Sequence, residues 1–458
     1  MAGLSSILSV RQRIGYGVGD VANNLYWTTV SLFLLYYYTD VLGLPSATAG
    51  LTIMIALIWD GLIDPVIGAI ANRTRTRWGR YRPFLLLASL PLSLTFMLLF
   101  LPFDLPGVSV AAFALASQML FRTAFAITGI PYSSLSAALT TDSQERNALT
   151  AVRMMFATGA GLIIAFSTQP LVAAFGGGRT GFFYVAVVYG TIAFVIHLAC
   201  FAGTSEVINV SHTEEKPPSF GALTMALKRN RAFLIVFGAT VLATIGGAIG
   251  SKVLLYFFKY NLDRPDLTNV ALAMLTGTIF LSVPVWSYVT KRTSKRLVWL
   301  VGTTLSAASS LAIYAAATIG AAPQFILALL VVQGIGTGAF YLTFWSMLPD
   351  TVEYGEFRAG IRTEGVIFGL VTFAQKAALG IGIGLLGILL EVIGYRANAV
   401  QSADTLASIR LLFTIVPASL VLCSAVLIFR YPLDGRLHGR LVKVLERRRS
   451  AAALRSAD

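Results

Sequence analysis

Long apolar stretches alternate with short polar connections along almost the whole chain. A helix needs about 20 mostly apolar residues to cross the hydrocarbon core of a bilayer, and each stretch is at least about that long. The pattern therefore predicts an all-α polytopic membrane protein with twelve transmembrane helices, at residues 14–42, 47–71, 81–101, 108–138, 147–171, 179–203, 231–260, 268–290, 297–318, 324–347, 363–393 and 409–431.

One longer polar stretch, residues 204–231, interrupts the pattern near the middle of the chain. A basic connection follows the second predicted span (residues 74–82) and another follows the eighth (residues 290–296), which indicates a weak internal repeat. Two bundles related in this way can rock around a central cavity to give alternating access. We expect an N-terminal six-helix bundle at 1–203, a cytoplasmic linker with an amphipathic piece at 204–230, a C-terminal six-helix bundle at 231–431 and a cytoplasmic tail at 432–458.

The basic residues are concentrated in some of the connections and in the tail, whereas the connections at 43–47 and 102–107 contain no Lys or Arg. Positive residues in short loops mark the cytoplasmic side of a membrane protein, so we expect both termini in the cytoplasm. The net charge of +14 then faces the cytoplasm and the anionic lipid of the bilayer, and does not indicate nucleic-acid binding. The residues concerned are Arg73, Arg75, Arg77, Arg80, Arg82, Lys291, Arg292, Lys295, Arg296, Arg436, Arg440, Lys443, Arg447, Arg448 and Arg449.

The composition agrees with a membrane protein. Hydrophobic residues make up 56% of the chain and charged residues 12%, whereas a soluble domain has roughly 25% charged residues. Cys200 and Cys423 lie in apolar runs and the three histidines lack ligand spacing, so we expect neither a disulfide nor a metal site of the usual kind. The chain has no nucleophile–base set, so we expect neither an enzyme nor a cofactor.

Two carboxylates lie inside the second predicted span. Asp60 and Asp64 are four residues apart, which places them on one face of a helix, and Pro65 follows at once. Charged groups in a membrane are costly and usually mark ion or proton pathways. The pair therefore predicts a site for a cation, H⁺ or Na⁺, although a structural pair bonded to neighbouring helices is the alternative.

Lys376 lies deep in the eleventh predicted span. A buried lysine needs an acidic partner or loses its charge, and Asp60 or Asp64 is the natural candidate. We expect Lys376 to couple the cation site to transport, with a purely structural ion pair as the alternative.

Several other polar and aromatic residues within the spans are candidates for substrate binding. Amides and aromatic rings together suit a polyhydroxylated ligand, while helix packing, lipid contact or pairing with other side chains is the alternative for each. The candidates are Asn23, Asn24, Tyr26, Arg153, Lys252, Tyr341 and Trp345.

Further charged residues have expected structural roles. We expect Asp20 to bond to a loop near the cytoplasmic end of span one. A charged cluster between spans ten and eleven could form salt bridges that hold one conformation, or could be a solvated loop. It consists of Asp350, Glu353, Glu356, Arg358, Arg362 and Glu364.

An ordered set of motifs over roughly residues 10–435 resembles the glycoside–pentoside–hexuronide:cation symporters, the melibiose permease group of the major facilitator superfamily. The resemblance implies the major facilitator fold, cation binding by Asp60 and Asp64, and a coupling role for Lys376. The motifs are Gly15-Tyr16-Gly17-Val18-Gly19-Asp20 with Asn23-Asn24, Tyr37-Tyr38-Thr39-Asp40, Trp59-Asp60-Gly61-Leu62-Ile63-Asp64-Pro65, Arg77-Trp78-Gly79-Arg80-Tyr81-Arg82-Pro83, Gly129-Ile130-Pro131-Tyr132, and Asp350-Thr351-Val352-Glu353-Tyr354-Gly355-Glu356 followed by Arg362, Glu364 and Lys376.

The chain departs from the family pattern at several positions. Asn24 stands at the position of a sugar-binding carboxylate, which implies a different or looser sugar specificity. In span four, Gly129, Ala126 and Ser133 stand where the family pattern has an aspartate, a threonine and a tryptophan. Fewer oxygen ligands favour H⁺ over Na⁺, since a metal cation needs several. The family's sugar-contacting arginine of span five falls within about one residue of Arg153.

The resemblance implies H⁺- or Na⁺-coupled symport of a small-molecule sugar across the inner membrane by a monomer. Lys252 is compatible with an acidic hexuronide, and Asn24 with a neutral glycoside or pentoside. The alternatives are a transporter of a lipid or drug-like compound on the same fold and a membrane sensor or enzyme without transport activity.

Overall fold

The computed structural model describes residues 8–102, 109–140, 143–206, 220–360 and 363–433, together with 437, 440–441 and 444–445. These described residues form helices and no strand. Ten helical segments among them are long and apolar enough to cross a membrane. The prediction of an all-α polytopic protein is confirmed. Residues 207–219 of the predicted linker, residue Arg362 and most of the predicted tail lie outside the described residues.

The chain divides into two compact units. The first comprises Met1–Thr213, Pro265–Ala273 and Ile383–Thr405. The helices in its N-terminal part are α1 (Val10–Tyr36), α2 (Ser46–Arg73), α3 (Arg82–Leu87), α4 (Ser89–Leu99), α5 (Val110–Leu139), α6 (Ser143–Ala174) and α7 (Gly178–Gly203).

The second unit comprises Glu214–Arg264, Met274–Gly382 and Leu406–Asp458. The start of α10 and the end of α13 thus belong to the first unit, and the predicted division into bundles at 203 and 231 stays a prediction. The helices of this half of the chain are α8 (Phe220–Arg229), α9 (Arg231–Tyr256), α10 (Thr268–Arg292), α11 (Lys295–Thr318), α12 (Pro323–Ala359), α13 (Glu364–Val392), α14 (Ala403–Phe413) and α15 (Ile415–Phe429).

A structural repetition accompanies the sequence repeat. Helices α1 and α9 are the first spans of the two halves, and each continues into a five-residue π-helix, Tyr37–Val41 and Phe257–Asn261. A side chain caps the start of each helix: Ser9 accepts from the N–H of Gln12, and Asn230 accepts from the N–H of Phe233. The two halves therefore begin with helices of the same construction.

Two predicted spans are each broken into two helices. Pro91 is the third residue of α4 and Pro417 is the third residue of α15. A proline lacks the backbone N–H and clashes with the carbonyl four residues earlier. Those carbonyls belong to Leu87 and Phe413, the last residues of α3 and α14. The proline positions thus explain why the third and twelfth spans do not run as single helices.

Glycines allow some helices to approach closely. A Cβ atom added to Gly15 on α1 would lie 2.9 Å from the Cα of Gly203 on α7. In the second unit, a Cβ atom on Gly336 of α12 would lie 2.5 Å from the carbonyl oxygen of Gly302 on α11. Small residues at helix contacts are typical of membrane bundles, because they let backbones pack against each other.

At one end of the first unit, the connection between α2 and α3 is fixed by a carboxylate. Glu206 accepts hydrogen bonds from the backbone N–H groups of Arg80, Tyr81 and Arg82, at 2.7, 2.7 and 2.9 Å. Gly79 has φ +108°, and a Cβ atom there would lie 2.5 Å from Glu206 Cδ. This basic connection is therefore an ordered anchor as well as a positively charged loop.

At the other end of the first unit, the segment Ile383–Thr405 contacts the π-helix Tyr37–Val41 and α2. The hydroxyl of Tyr395 donates to the carboxylate of Asp40 at 2.8 Å, and Asn398 donates to the Asp40 carbonyl at 2.7 Å. Gly50 on α2 faces Gly387, whose Cα would lie 3.0 Å from an added Cβ. Polar contacts and close glycine packing together hold this segment.

The second unit has a core of aromatic residues between α9, α11, α12 and α15, including Trp299, Phe340 and Phe344. Lys295 at the start of α11 donates to both oxygens of Asp350, at 2.8 Å each. One member of the predicted charged cluster therefore forms a salt bridge between helices of this unit.

We predict that Glu206→Gln lowers the free energy of unfolding by about 1–3 kcal/mol, because the amide NH₂ faces backbone donors and leaves them unsatisfied. Thermal unfolding of the purified protein in detergent measures the effect. Asp404→Asn removes an exposed carboxylate at the start of α14 and serves as the control. Equal melting temperatures for both variants would contradict the anchoring role.

Candidate functional site

The predicted cation-binding carboxylates lie together on α2. Asp60 is completely buried, whereas Asp64, one turn later, is half-buried. Pro65 lies within the helix, and α2 packs along α5. A carboxylate buried at this depth in a membrane-spanning helix is costly without a positive charge beside it.

The described structure provides that positive charge on α5. Arg122 Nη1 lies 3.8 Å from Asp60 Oδ2, and the Arg122 side chain is 3% exposed. Lys252 and Lys376 are intramembrane cations among the residues predicted from the sequence, and Arg122 is not among those residues. The signal was present, because Arg122 lies within the apolar run of the fourth predicted span.

Aromatic rings surround the Arg122 guanidinium. Its Cζ atom lies 5.1 Å from the ring centroid of Trp27 and 5.8 Å from that of Phe121, within the range of cation–π attraction. Next to this contact, Trp59 Nε1 donates to Thr123 Oγ1 at 3.0 Å, which joins α2 to α5. The pair of charged residues is thus held between α1, α2 and α5.

The α1 candidates for substrate binding have different surroundings. Asn23 is buried and Asn24 is half-buried, with the Asn24 amide donating to the Asp20 carbonyl at 2.9 Å. Tyr26 has no exposed surface, and its hydroxyl donates to the Gly190 carbonyl at 3.3 Å. The Tyr26 ring packs on Phe96 and Phe121 inside the bundle, and its role in substrate binding stays a prediction.

Arg153 on α6 pairs with Asp20 on α1. Arg153 Nε donates to Asp20 Oδ2 at 2.5 Å, and its guanidinium lies over the ring of Tyr132. Asp20 therefore bonds to a neighbouring helix, and the expectation of a loop partner is corrected. About 30% of the Arg153 side chain stays exposed, so its remaining donors can reach a ligand.

The other candidates lie in the second unit. Lys252 on α9 is 4% exposed, and Lys376 on α13 is half-buried. Tyr341 and Trp345 lie one turn apart on α12 and are 47% and 50% exposed. The predicted pairing of Lys376 with Asp60 or Asp64 joins residues of different units and stays a prediction.

Two proteins named as a transporter and a carrier protein homolog are similar to this chain over nearly its whole length. The isoprimeverose transporter of Lactiplantibacillus pentosus is 31% identical over 441 residues, covering 95% of this chain and 91% of that protein. The glucuronide carrier protein homolog of Escherichia coli (strain K12) is 31% identical over 448 residues, covering 96% of both.

A solved structure from work on substrate recognition in proton dependent oligopeptide transporters superposes with a TM-score of 0.67 at 15% identity, covering 94% of this chain and 99% of that one. This likeness shows the fold alone. Residues 15–435 match the model of a family described as MFS/sugar transport protein. Because this match spans nearly the whole chain, the protein belongs to the MFS/sugar transport protein family, a group of multi-pass membrane transporters.

Proposed function

We propose that the protein is a symporter that accumulates a sugar across the inner membrane at the expense of a cation gradient. The observation that carries this proposal is the carboxylate pair Asp60 and Asp64, placed on one face of a membrane-spanning helix in a member of a sugar-transport family. Buried intramembrane carboxylates are most often parts of ion or proton pathways.

The coupling follows from the cost of burying charge. Reorienting a binding site across the membrane is costly while an extra negative charge is occluded in it. A cation bound at the pair removes that charge, so the loaded carrier can change conformation by alternating access of its two predicted bundles. Lys376, the predicted coupling residue, would respond to the charge state of the pair.

The sugar site in the first unit would use Asn23, Asn24 and Arg153. The two amides can donate to and accept from hydroxyl groups, and the exposed part of Arg153 can donate further hydrogen bonds. Asp20 holds the Arg153 guanidinium in position by accepting from Nε. In this arrangement, Arg153 binds the sugar while Asp20 orients it.

Lys252, Tyr341 and Trp345 of the second unit stay predicted substrate-binding residues. The exposed rings of Tyr341 and Trp345 could stack on the apolar face of a sugar. Lys252 could bind the carboxylate of a hexuronide. The names of the two relatives refer to isoprimeverose and to glucuronide, so a glycoside and a glucuronide are the first substrates to test. The positive connections support a cytoplasmic position for both termini, which is part of the proposal.

Uptake of radiolabelled sugars into right-side-out vesicles tests the proposal. A panel of isoprimeverose, other neutral glycosides and glucuronides is assayed with an imposed H⁺ or Na⁺ gradient. We expect at least one sugar to accumulate above its external concentration under one gradient. No accumulation of any sugar by folded protein would contradict sugar symport and would favour a lipid or drug-like substrate.

We predict that Asp60→Asn and Asp64→Asn each abolish accumulation against a gradient, because the neutral amide cannot exchange a cation. Uptake is measured at matched expression, with Asp404→Asn as a control that removes an exposed carboxylate. Normal active uptake by both the Asp60→Asn and the Asp64→Asn variant would contradict the proposed role of the pair.

We predict that Arg153→Lys raises the KM for the sugar about tenfold or more, because a lysine cannot pair with Asp20 through Nε and donate to a hydroxyl in the same geometry. Arg13→Lys is the matched control, since Arg13 forms a comparable pair with Glu145 between α1 and α6. Equal KM values for the two variants would contradict the proposal that Arg153 binds the sugar.

A further inference from the structure

We propose that the Arg122 guanidinium takes the place of an alkali cation at Asp60, so that the carrier neither binds Na⁺ or Li⁺ there nor uses either as its coupling ion. This inference rests on the proposed function for its meaning in transport. In this inference, Arg122 determines ion specificity because its guanidinium occupies the position beside Asp60.

The charge of Arg122 is permanent. A guanidinium is not deprotonated in proteins, whereas a buried lysine can lose its proton. Asp60 is completely buried with Arg122 Nη1 at 3.8 Å. A metal cation bound to the Asp60 carboxylate would lie within a few ångströms of this fixed positive charge, and the repulsion disfavours it.

The surroundings direct the guanidinium toward Asp60. The rings of Trp27 and Phe121 lie beside it. Its Nε and Nη1 atoms are buried and make no hydrogen bond to other residues in the described part of the chain. The contacts around Nε and Nη1 are therefore cation–π and ionic, and the ionic partner is the buried carboxylate of Asp60.

The positions of α5 that follow Arg122 provide few free oxygen ligands. Ala126 lies one turn after Arg122 and Gly129 lies nearly one turn further, and neither carries a side-chain oxygen. The hydroxyl of Thr128 donates within α5 to the Ala124 carbonyl at 3.1 Å. Alkali and other hard cations are held by several oxygens, so α5 presents a charge to Asp60 where a metal site would need ligands.

Direct binding of ²²Na⁺ to the purified full-length carrier in nanodiscs tests the inference without any sugar. We expect no saturable Na⁺ binding by the wild type. In Arg122→Gln, Asp60 loses the fixed positive charge of Arg122, so we expect Na⁺ occupancy about tenfold or more above the wild type at the same concentration. Asp60→Asn in the Arg122→Gln background should remove that binding.

Ser117→Ala, which alters a buried hydroxyl elsewhere on α5, is the control and should behave as the wild type. Saturable Na⁺ binding by the wild type that Asp60→Asn abolishes would overturn the inference, and so would folded Arg122→Gln that binds no Na⁺. If Arg122→Gln fails to fold, the wild-type measurement decides alone. A carrier that moves no sugar would refute the proposed function. The Na⁺-binding measurement would still test this inference, because it does not depend on sugar transport.

Discussion

The structure depends on how the charge of Asp60 is tolerated inside a membrane-spanning helix. An isolated carboxylate in hydrocarbon costs at least about 3 kcal/mol on insertion scales, and more by other measures. Here the carboxylate is completely buried and faces the guanidinium of Arg122. Two charges of opposite sign in close contact can exist at this depth where either alone would be strongly unfavourable. The packing of α2 against α5 and of α1 against the guanidinium holds Asp60 and Arg122 next to each other.

The same constraint connects the fold to transport. Glu206 anchors the connection that follows α2, and Asp40 with Tyr395 orders the other end of the first unit. These contacts fix the ends of the helix that carries Asp60 and Asp64. Because α2 is held in place, a change in the charge of Asp60 or Asp64 can move the helix as a unit. We propose that cation binding influences the sugar site through this helix.

Much of the fold could be predicted from the sequence, because length and hydropathy decide whether a helix can span a membrane. The features of the fold that the sequence does not reveal also have physical causes. Helix α1 is outside the ten segments that are apolar enough to span, since Asp20, Asn23 and Asn24 lower its hydropathy. The break between α3 and α4 depends on a single proline, Pro91, and hydropathy does not reveal its effect on the carbonyl of Leu87.

The candidate site was harder to predict, because a sequence shows which polar residues enter the membrane and not which of them meet. Asp60 and Asp64 could be found from their spacing on one helix. The pairing of Asp60 with Arg122 and of Asp20 with Arg153 depends on contacts between different helices. The burial of Tyr26 against α7 depends likewise on packing that hydropathy cannot reveal.

The central claim is that the movement of sugar is tied to a cation through the α2 carboxylates. The most direct measurement is ion flux on addition of sugar to de-energised cells in a weakly buffered medium, recorded with H⁺ and Na⁺ electrodes. The account predicts that a transported sugar carries H⁺ into wild-type cells, without Na⁺, and that this ion flux disappears in Asp60→Asn. Sugar entry with no movement of either ion in the wild type would contradict it.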